Sequence, residues 1–164
     1  AQQRRDAAIR GGVQAVVDLR GRAQVGPRGV VPRVPGDEVV VVDSNYPAHS
    51  CGKQVVRLDG VSGPEVVEAV LSVMPLDSFV DKPALSMEYA DDPEFIPEVL
   101  RDYQNVIDDT ADVPAKISRV DRFGFYDRSK FASAVVQTGE GRVYGNLILK
   151  KGIVLAETGV VRQT

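Results

Sequence analysis

The stretch Glu38-Val-Val-Val-Val-Asp43 decides the fold class of this chain. Four consecutive valines leave no polar face, so the segment reads as a β-strand buried on both sides. It ends in a carboxylate, and the carboxyl ends of strands are where open α/β sheets gather their ligand sites. A carboxylate at Asp43 can orient a polar substrate or exchange a proton. It can equally cap the following loop through Asn45 or Tyr46.

Working outward toward the carboxyl terminus, Ser44 to Gly52 reads as polar loop and Gln54 to Leu58 as a second strand. Ser62-Gly-Pro-Glu65 opens a helix: Ser62 can cap it, Glu65 completes a capping box and Pro64 suits the first turn. Val66, Val67, Val70, Leu71 and Met74 give that helix its buried face, and Pro75 ends it. Ala84 to Tyr89 is strand-like. Residues 93–108 predict an acidic amphipathic helix with Phe95, Ile96, Val99, Leu100, Tyr103 and Ile107 inward. Ile117 to Val120 reads as strand and residues 125–132 as a short helix. Ala134 to Thr138, Val143 to Leu149 and Ile153 to Ala156 read as three further strands. Turns at Gly139-Glu-Gly141 and Lys150-Lys-Gly152 join them in hairpin fashion. Early alternation of strands and helices followed by late antiparallel strands predicts an α/β domain with a mixed sheet flanked by helices.

Toward the amino terminus the character changes. Ala8, Ile9, Val13, Val16 and Val17 approximate helical spacing over residues 5–20, weakened by Gly11 and Gly12. Residues 21–36 are punctuated by glycine and proline and read as an irregular connection. Residues 1–36 hold seven arginines against Asp6 and Asp18, whereas residues 37–164 hold thirteen basic and twenty-one acidic side chains. A basic arm can mean nucleic-acid binding, but this one has no aromatic to stack bases, and the expectation is no nucleic-acid partner.

At 164 residues, 43% hydrophobic and 26% charged, the chain has the size and composition of one compact domain. No run of 18 apolar residues suggests a membrane span, and no secretory leader pattern opens the numbered chain. Cys51 is the single cysteine, so an intramolecular disulfide and a CxxC site are excluded and a cytoplasmic setting is expected. His49 is the single histidine, which excludes paired-histidine metal sites; no metal is expected. Neither a GxGxxG after a strand nor a GxxxxGK[ST] loop is present.

Two further places could carry chemistry. Tyr144-Gly-Asn146 sets a phenol and an amide two apart, on one face if the segment is strand. Such a pair can bind a sugar hydroxyl and relay a proton, although an ordinary phenol, ionising near pH 10, is a reluctant base. It can also be the polar outer face of a late strand. Arg122-Phe-Gly-Phe-Tyr126 sets a cation beside three aromatics, a binding cluster or simply a strand end with core aromatics and a surface arginine. His49 reads as a loop histidine whose place after Asp43 could turn it toward the same cleft.

Taken as an ordered set, Gly36-Asp-Glu-Val-Val-Val-Val-Asp-Ser-Asn-Tyr-Pro-Ala-His-Ser50, Arg57-Leu-Asp-Gly60, Pro75-Leu-Asp-Ser78, Arg122-Phe-Gly-Phe-Tyr-Asp-Arg128, Thr138-Gly-Glu140 and Tyr144-Gly-Asn-Leu-Ile-Leu-Lys-Lys-Gly152 closely resemble the fucose mutarotase and ribose pyranase family, on its fucose branch. The resemblance runs over roughly residues 36–154. It implies an α/β domain over residues 36–164, preceded by a divergent basic segment at residues 1–35. It also implies a cofactor-free isomerase that interconverts the α and β anomers of a pyranose, L-fucose foremost, by opening and reclosing the ring. A ring-shaped homo-oligomer, typically a decamer, goes with it. Carried over by position, Asp43, Arg122, Tyr126, Tyr144, Asn146 and Asp77 become substrate-binding residues, with Met87 a further pocket position. One departure stands out. The family's acid–base histidine belongs to a Gly-His-Gly-Asp motif, and here the residues are Val34-Pro35-Gly36-Asp37. Pro35 cannot exchange a proton. The role then passes to Tyr144 or His49, or the chain is an inactive sugar-binding member, or residues 1–35 are read out of frame from a GC-rich gene.

Overall fold

The four valines of Glu38–Val42 (β1) are all but inaccessible to solvent, and they sit in the middle of the sheet. The structure, a computed structural model, describes residues 35–52 and 54–153. Around β1 are Val55–Leu58 (β2), Ala84–Met87 (β3), Ser118–Val120 (β4), Ala134–Thr138 (β5) and Leu147–Lys150 (β6). They form one six-stranded sheet in the order β2-β5-β1-β6-β3-β4. β1, β2 and β5 pair in parallel, as do β3 and β4, while β6 runs antiparallel to both β1 and β3.

Alternation along the strands sends side chains into two layers. Val39, Val41, Val136, Leu147 and Leu149 pack under Gly63–Leu71 (α2) and Glu98–Thr110 (α3). Val40, Val42, Val135 and Ile148 pack with Tyr46, Ala48 and Phe125, the latter two on the helices Ala48–Cys51 (α1) and Arg122–Phe131 (α4). The α2 helix follows its sequence signals closely: Ser62 and Glu65 form the reciprocal capping box, and Val66, Val67, Val70 and Leu71 are buried. The expected mixed-sheet α/β domain is therefore present, with helices on both faces.

Several local expectations need correction. Ser44 to Gly52 is not all loop, since it contains α1. The acidic helix begins at Glu98, after Pro97 in extended conformation, so Phe95 and Ile96 precede it and are half exposed rather than inward. Arg122 to Tyr126 is the first half of α4, not a strand end; the Asp121 side chain caps it by accepting from the Phe123 and Gly124 N–H groups. Its aromatics divide: Phe125 is core, whereas Phe123 is 69% exposed. The strand expected from Val143 begins only at Leu147, because Tyr144 adopts a left-handed φ of 61° that breaks an extended chain.

The late strands do not form the expected hairpin either. β5 and β6 lie on opposite edges of β1, which buries the most apolar strand along both edges as well as both faces. Residues 139–146 must then cross over the carboxyl end of β1. The expected helix at 5–20 lies outside the described residues, as does the irregular connection at 21–36 apart from its last two positions. The strand at Ile153–Ala156 lies outside them beyond Ile153. Among the described residues no helix is long and apolar enough to cross a membrane.

Candidate functional site

The crossing at residues 139–146 brings Asp43 together with the Tyr144-Gly-Asn146 segment. The Asp43 N–H donates to Asn146 Oδ1 at 3.1 Å, and the Gly145 N–H donates back to Asp43 Oδ2, also at 3.1 Å. The second carboxylate oxygen, Oδ1, accepts from the Asn45 N–H at 2.9 Å. One oxygen of Asp43 thus caps the loop through Asn45, and the residue also lines a cleft. Burial raises the Asp43 carboxyl above its ordinary value, opposed by the N–H groups of Asn45, Gly145 and Tyr46 and reinforced by the charge of Glu140.

The cleft has a volume of about 170 Å³ and is lined by Asp43, Asn45, Tyr46, Met87, Arg122, Tyr126, Tyr144 and Asn146, with Pro47 and Val143 at its edge. These residues come from four places in the chain. The loop after β1 supplies Asp43 to Pro47, the end of β3 supplies Met87, the start of α4 supplies Arg122 and Tyr126, and the crossing loop supplies the rest. All four lie at the carboxyl ends of parallel strands or the amino end of antiparallel β6, where loops diverge and leave a crevice. The Tyr144 hydroxyl oxygen accepts weakly from the Ala90 N–H at 3.4 Å, and its ring packs 4.8 Å from Tyr89, which in turn meets Phe95 edge-on. Tyr46 and Tyr126 are tilted against each other at 5.6 Å, with the Tyr46 hydroxyl bonded to Ser129 at 2.7 Å. Burial pushes that phenol well above its ordinary range, so it serves as a neutral hydrogen-bonding group. Arg122 lies over the Phe123 ring at 5.3 Å, its guanidinium exposed at the mouth of the cleft.

Two expected site residues are elsewhere. His49 is exposed on α1 and is not among the lining residues. Asp77 is buried near the opposite end of the sheet, where its N–H donates to the Lys150 carbonyl and its Oδ1 accepts from the Phe79 N–H. Pro35 lies at that same far end: the Gly36 N–H, next to it, donates to the Lys151 carbonyl. Asn45, Tyr46, Pro47 and Val143 also line the cleft and were not singled out as lining residues from the sequence. For Asn45 to Pro47 the available signals were their place just after a carboxylate ending an apolar strand and within the quoted Gly36–Ser50 stretch. Among the described residues no group of three or more His, Cys, Asp or Glu side chains is arranged to hold a metal ion.

The model of the RbsD / FucU transport protein family matches residues 35–154. The chain is 43% identical over 125 residues to the human fucose mutarotase, covering 73% of this chain and 80% of that protein. It is 40% identical over 118 residues to an L-fucose mutarotase of Haemophilus influenzae, covering 72% and 82%. Among solved structures, the fucose mutarotase from Streptococcus pneumoniae in complex with L-fucose superimposes with a TM-score of 0.70 at 40% identity, over 76% of this chain and 88% of that one.

Proposed function

Because the chain belongs to the RbsD / FucU family, we propose that it is a monosaccharide mutarotase acting on L-fucose or a closely related aldopyranose. The observation that carries this is the convergence of Asp43, Tyr144, Asn146 and Arg122 on one cleft of a size suited to a single sugar ring. Fucose mutarotases are its relatives at 40–43% identity.

The reaction needs two proton transfers and no external electrons. The ionised Asp43 carboxylate takes the proton of the anomeric hydroxyl, so the C1–O1 bond becomes a carbonyl and the C1–O5 bond breaks. The Tyr144 hydroxyl gives its proton to O5 as that bond breaks. After rotation about C1–C2, O5 attacks the other face of C1. Its proton returns to Tyr144, and the Asp43 proton returns to O1. The raised Asp43 carboxyl suits this exchange, since a base works best when its pKa is near the working pH. Tyr144 is suited to donate because its oxygen already accepts from the Ala90 N–H. Asn146 has its carbonyl committed to Asp43, leaving the NH2 group for a sugar hydroxyl. Arg122 supplies a planar fork of donors, and Tyr126 and Met87 give the ring an apolar floor. Asp43 and Tyr144 here take the part that the family gives to a histidine, with Pro35 in that place.

The setting we propose is the cytoplasm, consistent with the lone Cys51. The assembly is a closed homo-oligomeric ring, a decamer. In its support, each end of the sheet presents an exposed phenylalanine beside a candidate sugar ligand: Phe123 at 69% next to Arg122, and Phe79 at 78% near Asp77. A head-to-tail contact that repeats such a pairing gives a ring when its rotation closes, and in that ring Asp77 of one copy would approach the cleft of the next. Sedimentation velocity on the full chain tests the assembly, and a monomer at micromolar concentration would refute it. The activity is tested by saturation-transfer NMR on L-fucose. Accelerated transfer between the α and β anomeric protons is the expected result. Line broadening without added transfer would identify a binding protein instead.

A further inference from the structure

Glu140 does not line the cleft, yet it is a carboxylate only 5% exposed, and a buried charge persists only when paired and fully hydrogen-bonded. Its partners are arranged around the crossing loop. Oε2 accepts from the Gly63 N–H at the start of α2 at 3.2 Å. Oε1 accepts from the Arg142 N–H at 3.0 Å and from Arg142 Nε at 2.9 Å, while Arg142 Nη2 donates to Oε2 at 3.1 Å. Arg142 reaches on to Asp102 of α3, Nη1 to Oδ2, at 2.6 Å. The backbone of Glu140 is tied as well: its carbonyl accepts from the Ser44 N–H at 2.9 Å, and its N–H donates to Thr138 Oγ1. Arg142 holds the Glu140 carboxyl below its ordinary value against the opposing effect of burial, so the clamp stays charged.

A second tie comes from the same helical layer. Tyr103, fully buried on α3, donates its hydroxyl to the Gly145 carbonyl at 3.0 Å. The ring fits because residue 63 is glycine: a Cβ there would lie 2.0 Å from the Tyr103 oxygen. The segment these ties hold is the one in unusual conformation. Tyr144 is the one non-glycine residue with positive φ among the described residues. Such a backbone is strained and lasts only where its surroundings over-determine it. Gly145, held on its carbonyl side by Tyr103, is held on its N–H side by Asp43.

We propose that Glu140, together with Arg142 and Tyr103, forms a positioning clamp behind the cleft that fixes the Tyr144-Gly-Asn146 loop, and through it Asp43, in reactive geometry. The statement rests on the mutarotase reading for its kinetic consequence, but its structural content can be tested without it. None of the three residues lines the cleft; they act through the loop. Misplacing reacting groups by about 1 Å can cost on the order of 10²-fold in rate.

The test compares Glu140→Gln and Tyr103→Phe with the parent chain, using anomer exchange with L-fucose and hydrogen–deuterium exchange of the segment 139–146. Glu140→Gln sets an amide NH2 against groups that are themselves donors, and should lower kcat by on the order of 10²-fold. Tyr103→Phe deletes a single hydrogen bond and should lower it about tenfold. In both, kcat should fall by a larger factor than KM rises, because Arg122, which lies outside the loop, still binds the ring. Deuterium uptake of 139–146 should speed up by about tenfold or more, with β5 at residues 134–138 unchanged. A fall in thermal stability alone, with loop uptake at the parental rate in every variant that folds, would overturn the clamp. So would a parental kcat in those variants. If the parent itself accelerates no anomer exchange, the function proposed above fails, and loop uptake alone decides whether the clamp exists. Should Glu140→Gln not fold, Tyr103→Phe carries both measurements.

Discussion

The two ends of β1 lie about five residues apart and have opposite characters. At the carboxyl end, Asp43 is buried, has its carboxyl raised by that burial and faces a cleft beside a strained Tyr144. At the amino end, backbone groups satisfy one another: the Gly36 N–H meets the Lys151 carbonyl, the Lys151 N–H the Asp37 carbonyl, and the Gly152 N–H the Pro75 carbonyl. There the chain is closed so tightly that a Cβ on Gly152 would lie 2.3 Å from the Leu76 carbonyl oxygen. The same apolar strand supports both. The difference arises because connections leave the sheet and diverge at one end, and are sutured by backbone hydrogen bonds at the other. Changes at the first end should be read in rate, and changes at the second in stability.

The largest expected effect breaks that comparison directly. Asp43→Asn and Tyr144→Phe should each slow anomer exchange by about 10²–10⁴-fold, the usual worth of a positioned acid or base. The thermal midpoint of Tyr144→Phe should move by only a few degrees. That of Asp43→Asn should move by more, because its NH2 group opposes the Asn45 or Gly145 N–H. Near-parental exchange in either would remove that residue from the chemistry. Next comes pH. Because burial raises Asp43 above its ordinary 3.8, the ionised base is lost as pH falls through that raised value, and exchange should then drop about tenfold per unit. Stability carries the opposite sign for this group: the folded state holds the proton more tightly, so its contribution is full below about 3.8 and declines as pH rises through the folded value. Glu140 works the other way. Lowered by Arg142, it contributes stability above its ordinary 4.5 and loses it as pH falls through its folded value. A rate limb that survives in Asp43→Asn would assign the titration to another group.

How much of this was legible in the sequence depends on whether a signal was local. Four valines in a row, and Ser62 with Glu65 three residues on, specify a buried strand and a capped helix from neighbouring residues alone, and both are where they were expected. The hairpin between Ala134–Thr138 and the next strand failed because pairing is a tertiary choice. Gly139-Glu-Gly141 looks like a turn, but β1 is the more apolar neighbour and takes both strands. The site was legible as residue types in an ordered set, Asp43 with Tyr144 and Asn146. Their mutual bonds depend on that crossing, which no spacing rule could supply. Arg122 read as a strand end because the cap that starts its helix, Asp121, lies one residue before the quoted motif. Glu140 between two glycines read as a hairpin turn, and only the chain's return past α2 and α3 buries it.

At the far end, Gly152→Ala should cost about 1–3 kcal/mol, because a carbonyl oxygen rather than a flexible side chain opposes the new methyl group. For a chain of this length that is a fall of about 2–4 °C in thermal midpoint per kcal/mol. Exchange per folded molecule at 25 °C should stay at the parental rate, and a rate loss without a stability loss would blur the distinction between the two ends.

The smallest effect sharpens the comparison most. Asp77→Asn keeps an oxygen for the Phe79 N–H, so it should cost no more than about 1 kcal/mol of stability. Within one copy it should also leave exchange untouched, since Asp77 lies at the sutured end and lines no part of the cleft. In a head-to-tail ring, however, the carboxylate that only holds a turn within its own subunit would meet a sugar in the next one. Replacing it there removes a charged acceptor and should raise KM for L-fucose about threefold to tenfold with kcat nearly constant, the signature of a contact made equally in ground and transition states. A parental KM would mean that Asp77 only holds its turn and that each cleft is built from one chain. A raised KM would mean that the closed end of each sheet completes the open end of its neighbour, so that the contrast within one molecule becomes a complementarity between two.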